Sequence, residues 1–250
     1  MSAPRDFLLR PPLRAVFLDL DNTLADETAH MRCAYTAALR DVSDRISEPT
    51  AGAVVEHYLL IADDLSRRDA WDEIARLGRV ELALERAGVG DSNLAALIVA
   101  GYDRHYYEGV RLLAGAGRLL EAASAFPTCL ITNGSSDRQR GKIDRLGLDG
   151  RLRHVLVSGE FGASKPDAAI FARALELTGA SPKDAVMVGD SIHADIAGAA
   201  RAGVRSIWIN PLGLPVPDGL AHPDAVVSGP AEAAAFIERA ARADGGPTSA

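Results

Sequence analysis

The chain has 250 residues, of which 48% are hydrophobic and 24% charged, a balance typical of a globular protein with enough apolar material for a large core. Its formal net charge of −7 argues against a nucleic-acid polymer as the main partner. The two cysteines, Cys33 and Cys129, fit neither a disulfide framework nor a metal-ligand spacing, and no segment has the length and apolarity of a membrane span or a signal peptide. These features predict a soluble cytoplasmic protein that makes no use of a membrane, and Cys129 is predicted to be a core residue.

The first predicted element is a strand at Ala15–Leu18, which follows a proline-containing lead-in over residues 1–12. The strand is a continuous apolar run, typical of a strand buried on both faces of a parallel sheet. Asp19 and Asp21 come next, and period two puts them on the same side if the strand continues. Two carboxylates crowded at the end of a buried strand need a counter-ion, and Mg²⁺ is a hard cation that prefers oxygen ligands. The alternative is that both aspartates are ordinary turn and cap residues.

Residues 26–111 contain helical patterns and no convincing strand. Helices are predicted at Glu27–Val42, Pro49–Leu65, Ala70–Ala87 and Asn93–Tyr107. This insertion begins beside the acidic turn, a position suited to a lid that selects the substrate. Its candidate substrate contacts are residue types that more often lie on a surface or in a core: His30, Arg32, His57, Arg104, His105 and Tyr106.

From residue 112 onward, short apolar runs alternate with helical patterns. Strands are predicted at Thr128–Thr132, His154–Ser158, Ala185–Gly189, Ser206–Ile209 and Ala225–Val227. Helices are predicted at Arg118–Phe126, Ser136–Leu146, Asp167–Thr178 (opened by Pro166), Asp195–Ala202 and Ala231–Ala243, before a disordered tail from residue 244. This alternation predicts an α/β fold, a doubly wound parallel sheet in residues 1–25 and 112–250, interrupted after its first strand by a helical domain in residues 26–111.

The predicted strand that ends at Thr132 is followed by Asn133 and Gly134, and then by a helix. Backbone N–H groups at a helix start, together with the side chains of Thr132 and Asn133, can bind phosphate oxygens. An ordinary capped turn explains the same residues equally well.

Three charged residues stand near the start of later helices. Lys165 is unfavourable at the positive end of a helix dipole unless an anion lies between them, and the alternative is a solvated surface lysine. Asp190 directly follows an apolar strand and can complete the cation site. Asp195 can hold metal-bound waters or Lys165, and it can also be a helix N-cap.

These stretches, in this order, resemble the four motifs of the haloacid dehalogenase superfamily. The sequence DLDNT at residues 19–23 resembles the first motif, Thr132 the second, Lys165 the third, and Gly189-Asp190 with Asp195 the fourth. The resemblance extends from Ala15 to about Asn210, and the position of the insertion matches the family's type 1 cap. The sequences TNGSSDRQRGKIDRLGL and VMVGDSIHADIAGAARAG resemble the phosphatase branch, which includes N-acylneuraminate-9-phosphatase and the pyrimidine nucleotide 5′-phosphatases.

The resemblance implies a Mg²⁺-dependent phosphatase, a hydrolase of phosphoric monoesters that acts on a small phosphorylated metabolite such as a sugar phosphate or a nucleotide monophosphate. Asp19 would be the nucleophile that forms an aspartyl-phosphate, and Asp21 would protonate the leaving oxygen and later activate water. Mg²⁺ would be held by Asp19, Asp190 and the backbone carbonyl of Asp21, with Asp195 outside the ligand set. Charge on the transferring group would be stabilised by Thr132, Asn133 and Lys165.

Asp21 also bears on the choice of reaction, because the dehalogenases that name the superfamily lack an acid at this position. A phosphatase needs one, since its alkoxide leaving group must be protonated. Two alternatives remain open: a phosphomutase that returns the phosphoryl group to a sugar, and a non-catalytic binding module on the same fold. The sequence gives no information on the oligomeric state.

Overall fold

The computed structural model of this protein describes residues 12–67 and 73–243. These residues divide into two compact units, one formed by the described chain up to Asp26 and from Arg111 onward, the other by Glu27–Val110. The lead-in before residue 12 and the tail from residue 244 lie outside the described residues. No described helix combines the length and the hydropathy that crossing a bilayer requires.

The described part of the unit Glu27–Val110 is helical and contains no strand. Its helices are α1 (Glu27–Arg40), α2 (Glu48–Arg67), α3 (Arg76–Arg86) and α4 (Ser92–Arg104). Their apolar faces form a separate core that includes Tyr35, Leu84 and Ile98. Helix α3 begins at Arg76 and not at the predicted Ala70, because residues 73–75 form a turn, while Trp71 of that prediction lies outside the described residues. We refer to this unit as the helical insertion, and its role as a cap stays a prediction.

The chain segments that lead into and out of the insertion pair with each other. Ala25 forms an antiparallel bridge with Leu112, and the Asp26 N–H donates to the carbonyl of Arg111 over 3.0 Å. The Leu113 N–H donates to the Leu24 carbonyl over 2.8 Å. Both ends of the insertion are thereby fixed side by side on the sheet unit.

The other unit is built on a sheet of six parallel strands, which confirms the predicted α/β fold. The strands are β1 (Ala15–Leu18), β2 (Thr128–Thr132), β3 (His154–Val157), β4 (Ala185–Gly189), β5 (Arg205–Ile209) and β6 (Ala225–Val227). Their order across the sheet is β3-β2-β1-β4-β5-β6, so β1 lies between β2 and β4. All residues of β1, β2 and β4 are buried, as continuous apolar runs predict.

Helices cover both faces of this sheet. They are α5 (Ala116–Ala123), α6 (Ser136–Arg145), α7 (Ser158–Phe161), α8 (Ala168–Thr178), α9 (Ala197–Arg201) and α10 (Pro230–Ala243). Alternate residues of β1 enter two different cores: Val16 and Leu18 join the core that contains α5 and α10, whereas Ala15 and Phe17 join the core that contains α8. Cys129 is buried in the second of these cores, as predicted.

Two local predictions around the helices are wrong. Pro166 does not open α8, because Asp167 is the N-cap and its carboxylate accepts the Ala169 N–H over 2.9 Å. The single helix predicted at Asp195–Ala202 is a π-helical turn at Ile192–Ile196 followed by α9, and the turn is capped by Ser191. The four-residue helix α7 was not predicted.

Candidate active site

The carboxyl end of β1 delivers Asp19 into the buried edge of the sheet. The Asp19 N–H donates to the Val188 carbonyl over 3.0 Å, and only 6% of the residue is exposed. Burial is the largest effect that raises the pKa of Asp19 to about 7, and the charges of Asp195 and Asp21 raise it further. The charge of Lys165 lowers this pKa but does not outweigh burial. A carboxylate in this setting is poorly hydrated and close to other negative charges, so a nearby cation stabilises its ionised form.

The carboxyl end of the adjacent strand β4 supplies two more aspartates. Oxygens of Asp19, Asp190 and Asp195 all lie within 4.8 Å of one another. Burial and the charges of Asp19 and Asp195 raise the pKa of Asp190 well above its ordinary value, although part of the residue remains exposed. The Trp208 indole N–H donates to the Asp190 carbonyl over 2.7 Å, so β5 holds the backbone of this acidic residue in place.

Asp195 is not the helix N-cap that one interpretation proposed, because Ser191 caps the turn and accepts the Ala194 N–H over 3.1 Å. The Asp195 carboxylate is almost fully buried, accepts the Ser191 N–H over 3.0 Å and lies 2.7 Å from Lys165 Nζ. It thus contacts Lys165, one of the two functional roles considered for it.

Lys165 is buried, whereas the alternative interpretation required a solvated lysine on the surface. Its Nζ lies 2.5 Å from Asp19 Oδ1 as well as 2.7 Å from Asp195 Oδ1. Burial alone would lower the pKa of Lys165, but the charges of Asp19 and Asp195 outweigh this effect and raise it above its ordinary value. The lysine is therefore a fixed cation between two carboxylates.

Asn133 fixes the backbone of Lys165 from both directions. Its Nδ2 donates to the Lys165 carbonyl and its Oδ1 accepts the Lys165 N–H, each over 2.9 Å. The structure therefore assigns the side chain a positioning contact that the sequence did not predict, and substrate binding by Asn133 stays a prediction.

Thr132 ends β2 with a buried hydroxyl group. Its Oγ1 has no hydrogen-bond partner within the described part of the protein. A buried hydroxyl is normally bonded, so this oxygen is available to a ligand at the edge of the sheet.

Asp21 differs in its surroundings from the other acidic residues. The strand stops at Leu18, so period two does not fix its direction, and Asp21 lies in a turn that continues through Asn22, whose φ is 56°. Its Oδ1 lies 2.7 Å from Lys142 Nζ, and its Oδ2 accepts from Gln139 Nε2 over 3.1 Å. Sequence reasoning missed Lys142 and Gln139, although both lie on the buried side of α6 beside Ile143.

A family model of the haloacid dehalogenase-like hydrolases matches residues 13–203 of this chain. The chain belongs to this family. It is 38% identical to a phosphoserine phosphatase of Thermus thermophilus over 147 residues, which is 57% of each chain. It is 27% identical to a glyceraldehyde 3-phosphate phosphatase of Pyrococcus furiosus over 204 residues, 78% of this chain and 80% of that one. It is 28% identical to the human N-acylneuraminate-9-phosphatase over 217 residues, 81% of this chain and 84% of that one.

Solved structures of haloacid dehalogenase-like proteins agree with the fold. The hydrolase YfnB of Bacillus subtilis, solved bound to magnesium, superimposes with a TM-score of 0.76 at 24% identity, covering 91% of this chain and 99% of that one. A 2-haloacid dehalogenase of Pseudomonas syringae superimposes with a TM-score of 0.57 at 30% identity, covering 92% and 99%.

The acidic cluster of this haloacid dehalogenase-like chain suits a divalent cation. Three carboxylates within 4.8 Å offer hard oxygen ligands. Burial and the neighbouring carboxylates raise the pKa values of Asp19 and Asp190 despite the presence of Lys165, so a further cation would stabilise their ionised forms. The Asp21 side chain points to α6 instead, so a contribution of Asp21 to the ion would come from its backbone carbonyl, as the family resemblance implied.

Five of the six candidate contacts in the helical insertion are engaged within that unit. They are buried or bonded to its own side chains and carbonyls: His30, Arg32, Arg104, His105 and Tyr106. His57 is half-buried. These contacts favour a structural role for the five, and substrate contact by any of the six stays a prediction.

Proposed function

We propose that this protein is a Mg²⁺-dependent phosphatase that hydrolyses a small phosphorylated metabolite through an aspartyl-phosphate on Asp19. The broader statement, that it is a hydrolase of phosphoric monoesters, follows from its family and its phosphatase relatives. The observation that carries the finer proposal is a group of three carboxylates within 4.8 Å of one another, two of which, those of Asp19 and Asp195, contact the buried Lys165 ammonium.

In the first step, a carboxylate oxygen of Asp19 attacks the phosphorus atom, and the bond between phosphorus and the ester oxygen breaks. The Asp21 carboxyl group donates its proton to the departing oxygen, so an alcohol leaves and not an alkoxide. In the second step, the Asp21 carboxylate takes a proton from water, which attacks the same phosphorus. The bond to Asp19 breaks, inorganic phosphate forms and both aspartates return to their starting states.

The first step requires a negative carboxylate to approach a phosphate dianion. Two like charges about 4 Å apart repel by about 4 kcal/mol at an effective dielectric constant of about 20. Lys165 lies beside the attacking carboxylate, and the unbonded Thr132 hydroxyl can donate to a phosphoryl oxygen. A divalent cation held by Asp19 and Asp190 would supply the remaining positive charge.

The central experiment measures phosphate release from p-nitrophenyl phosphate by the purified protein with Mg²⁺. We expect turnover by the wild type, loss of at least about a hundredfold with Asp19→Asn, and no loss with Asp218→Asn, a matched change at an exposed aspartate. Acid-quenched wild type should carry a phosphoryl group on the peptide that contains Asp19. Equal turnover by wild type and Asp19→Asn would overturn the proposal.

A second experiment addresses the substrate class. The panel consists of O-phosphoserine, glyceraldehyde 3-phosphate, N-acylneuraminate 9-phosphate and a pyrimidine nucleoside 5′-monophosphate, and the readout is free phosphate. Release from at least one of them at a rate above that for p-nitrophenyl phosphate would support a metabolite phosphatase. Transfer of the phosphoryl group between sugar positions without free phosphate would instead identify a phosphomutase.

A further inference from the structure

Helix α6 carries two buried polar side chains that hold the Asp21 carboxylate. Only 1% of Lys142 and 4% of Gln139 are exposed. The Lys142 ammonium lies 2.7 Å from Asp21 Oδ1, and the Gln139 amide donates to Asp21 Oδ2 over 3.1 Å. Lysine is seldom buried to this degree without a specific partner.

The contacts are built into the loop and helix that follow β2. Gln139 and Lys142 are three residues apart and therefore lie on one side of the helix. The Gln139 amide also donates to the Asn133 carbonyl over 2.9 Å. Gly134 has a φ of 142°, which is strained for other residues, and a Cβ atom there would lie 2.6 Å from Gln139 Nε2 and displace this amide.

Stability alone gives little reason for such an arrangement. A buried ion pair loses the hydration of both charges, and a well-packed apolar pair of similar volume is often equally stable. The arrangement instead fixes the direction of the Asp21 side chain, which lies beyond the end of β1, where only an isolated bridge to Ala25 pairs its backbone within the described residues. Proton transfer depends strongly on the position of the acid relative to the leaving oxygen.

We infer that Lys142 and Gln139 are positioning residues, which hold one Asp21 oxygen each so that this group can protonate the leaving oxygen. The inference rests on the proposed function, which assigns Asp21 the role of acid. A carboxylate oxygen accepts more than one hydrogen bond, so both contacts leave sites for the transferred proton. Neither Lys142 nor Gln139 needs to touch the substrate.

The test uses the leaving group. A nitrophenolate leaves without protonation, whereas the alcohol of a metabolite ester does not. We compare kcat/KM for p-nitrophenyl phosphate with kcat/KM for the alkyl ester of the panel that the wild type hydrolyses fastest, because kcat/KM covers only the steps up to departure of the alcohol. The variants are Lys142→Met, Gln139→Met and the control Arg145→Met, which removes an exposed charge from the same helix.

With Lys142→Met, we expect kcat/KM for the alkyl ester to fall roughly ten- to a hundredfold and that for p-nitrophenyl phosphate to fall less than about threefold. Gln139→Met should show the same selectivity with a smaller loss, Lys142→Arg should restore most of the alkyl-ester activity, and Arg145→Met should resemble the wild type. Adding Lys142→Met to Asp21→Asn should cause no further loss on the alkyl ester, since the two side chains act through one step.

Failure of this inference differs from failure of the proposed function. A wild type that releases no phosphate contradicts the proposed function, and an Asp21→Asn variant without leaving-group selectivity contradicts the acid assignment. If Asp21→Asn is selective but Lys142→Met and Gln139→Met slow both substrates equally, or neither, the positioning role is wrong. If Lys142→Met does not fold, Lys142→Arg and Gln139→Met decide the matter by the same selectivity.

Discussion

At the scale of single residues, Thr132 shows how a binding site differs from a core. Its hydroxyl is buried in the last position of β2 and has no hydrogen-bond partner within the described residues. An unbonded buried hydroxyl costs free energy, about 1–3 kcal/mol. The free protein is therefore less stable here than it would be with a methyl group in the same place.

Thr132→Val exchanges the hydroxyl for a methyl group of nearly the same shape. We expect the free energy of unfolding of the ligand-free protein to stay the same or to rise by up to about 1 kcal/mol, while kcat/KM falls at least about tenfold because a donor to the phosphoryl group is lost. Urea denaturation and phosphate release measure the two effects. A clear loss of stability would show that the hydroxyl is bonded in the free protein.

The sequence predicted that residues at strand ends and before helices meet at one edge of the sheet, and it missed Lys142 and Gln139, the two side chains that contact Asp21. Asp19, Lys165 and Asp190 follow apolar runs or precede helices, and the edge of a parallel sheet brings such positions together. Lys142 lies on a helix rich in arginine, where a basic residue suggests a solvated surface. The available signal was its spacing from Gln139 and Ile143, which puts all three on one side of α6.

At the scale of elements, β4 and the π-helical turn after it together place the Asp195 carboxylate beside Lys165. A Cβ atom on Gly189 would lie 2.2 Å from Asp195 Oδ2, so the last residue of β4 must be glycine for the Asp195 carboxylate to reach Lys165. The turn at Ile192–Ile196 returns Asp195 over the end of its own strand.

Gly189→Ala should displace the Asp195 carboxylate and release one side of Lys165. We expect a loss of unfolding free energy of about 1–3 kcal/mol, typical of overpacking, and a fall of at least tenfold in kcat. The control is Gly117→Ala on α5, where a Cβ atom meets nothing within 4 Å. If Gly189→Ala and Gly117→Ala give the same activity and the same melting temperature, the close approach of the Asp195 carboxylate to Gly189 affects neither catalysis nor stability.

Helices α6 and α7 are joined by Glu160, which accepts from both Arg140 and Ser136. The hydrogen bonds from Arg140 and then Ser136 lower the pKa of Glu160 to about 2. A carboxyl group with a lowered pKa in the folded state stabilises the protein above its unfolded pKa and loses that contribution as the pH falls.

Glu160→Gln should therefore reduce the unfolding free energy at pH 7 by roughly 0.5–1 kcal/mol, a small value because the pair is exposed to solvent. The difference from the wild type should shrink as the pH falls from about 4.5 to about 2, and measurement of urea midpoints across that range tests it. A difference that is constant over the whole range would exclude the ion pair as its source.

Strand bounds were predicted more closely than helix bounds, and the reason is physical. Strands β2, β4 and β6 are short apolar runs that end at a polar or glycine residue or directly before one. The π-helical turn depends instead on the cap at Ser191 and on the burial of Asp195 by tertiary contacts. No local pattern reports such contacts, so the ordinary helix predicted there was wrong.

At the scale of the whole molecule, an acidic enzyme must bind an anion. The chain has a net charge of −7, and the described site residues include four carboxylates, those of Asp19, Asp21, Asp190 and Asp195, and two ammonium groups, those of Lys142 and Lys165. A phosphate dianion therefore meets excess negative charge unless a cation is bound as well.

Binding of inorganic phosphate should consequently depend on Mg²⁺. By calorimetry, we expect measurable binding with Mg²⁺ present and at least about tenfold weaker binding with a chelator, which corresponds to a coupling of about 1.4 kcal/mol or more. Asp190→Asn should weaken this coupling, whereas Asp218→Asn should leave it unchanged. Equal phosphate affinity with and without Mg²⁺ would contradict a cation at this cluster.

The hydrogen bonds between Leu24–Asp26 and residues 111–113 have a consequence for how this enzyme could diversify. A segment whose two ends are hydrogen-bonded to each other can be exchanged as a unit. Recombination at this junction would replace the whole helical insertion and leave the strands of the sheet in register. If the insertion has the cap role that the resemblance implies, such an exchange would change the substrate and leave the residues at the sheet edge unaltered.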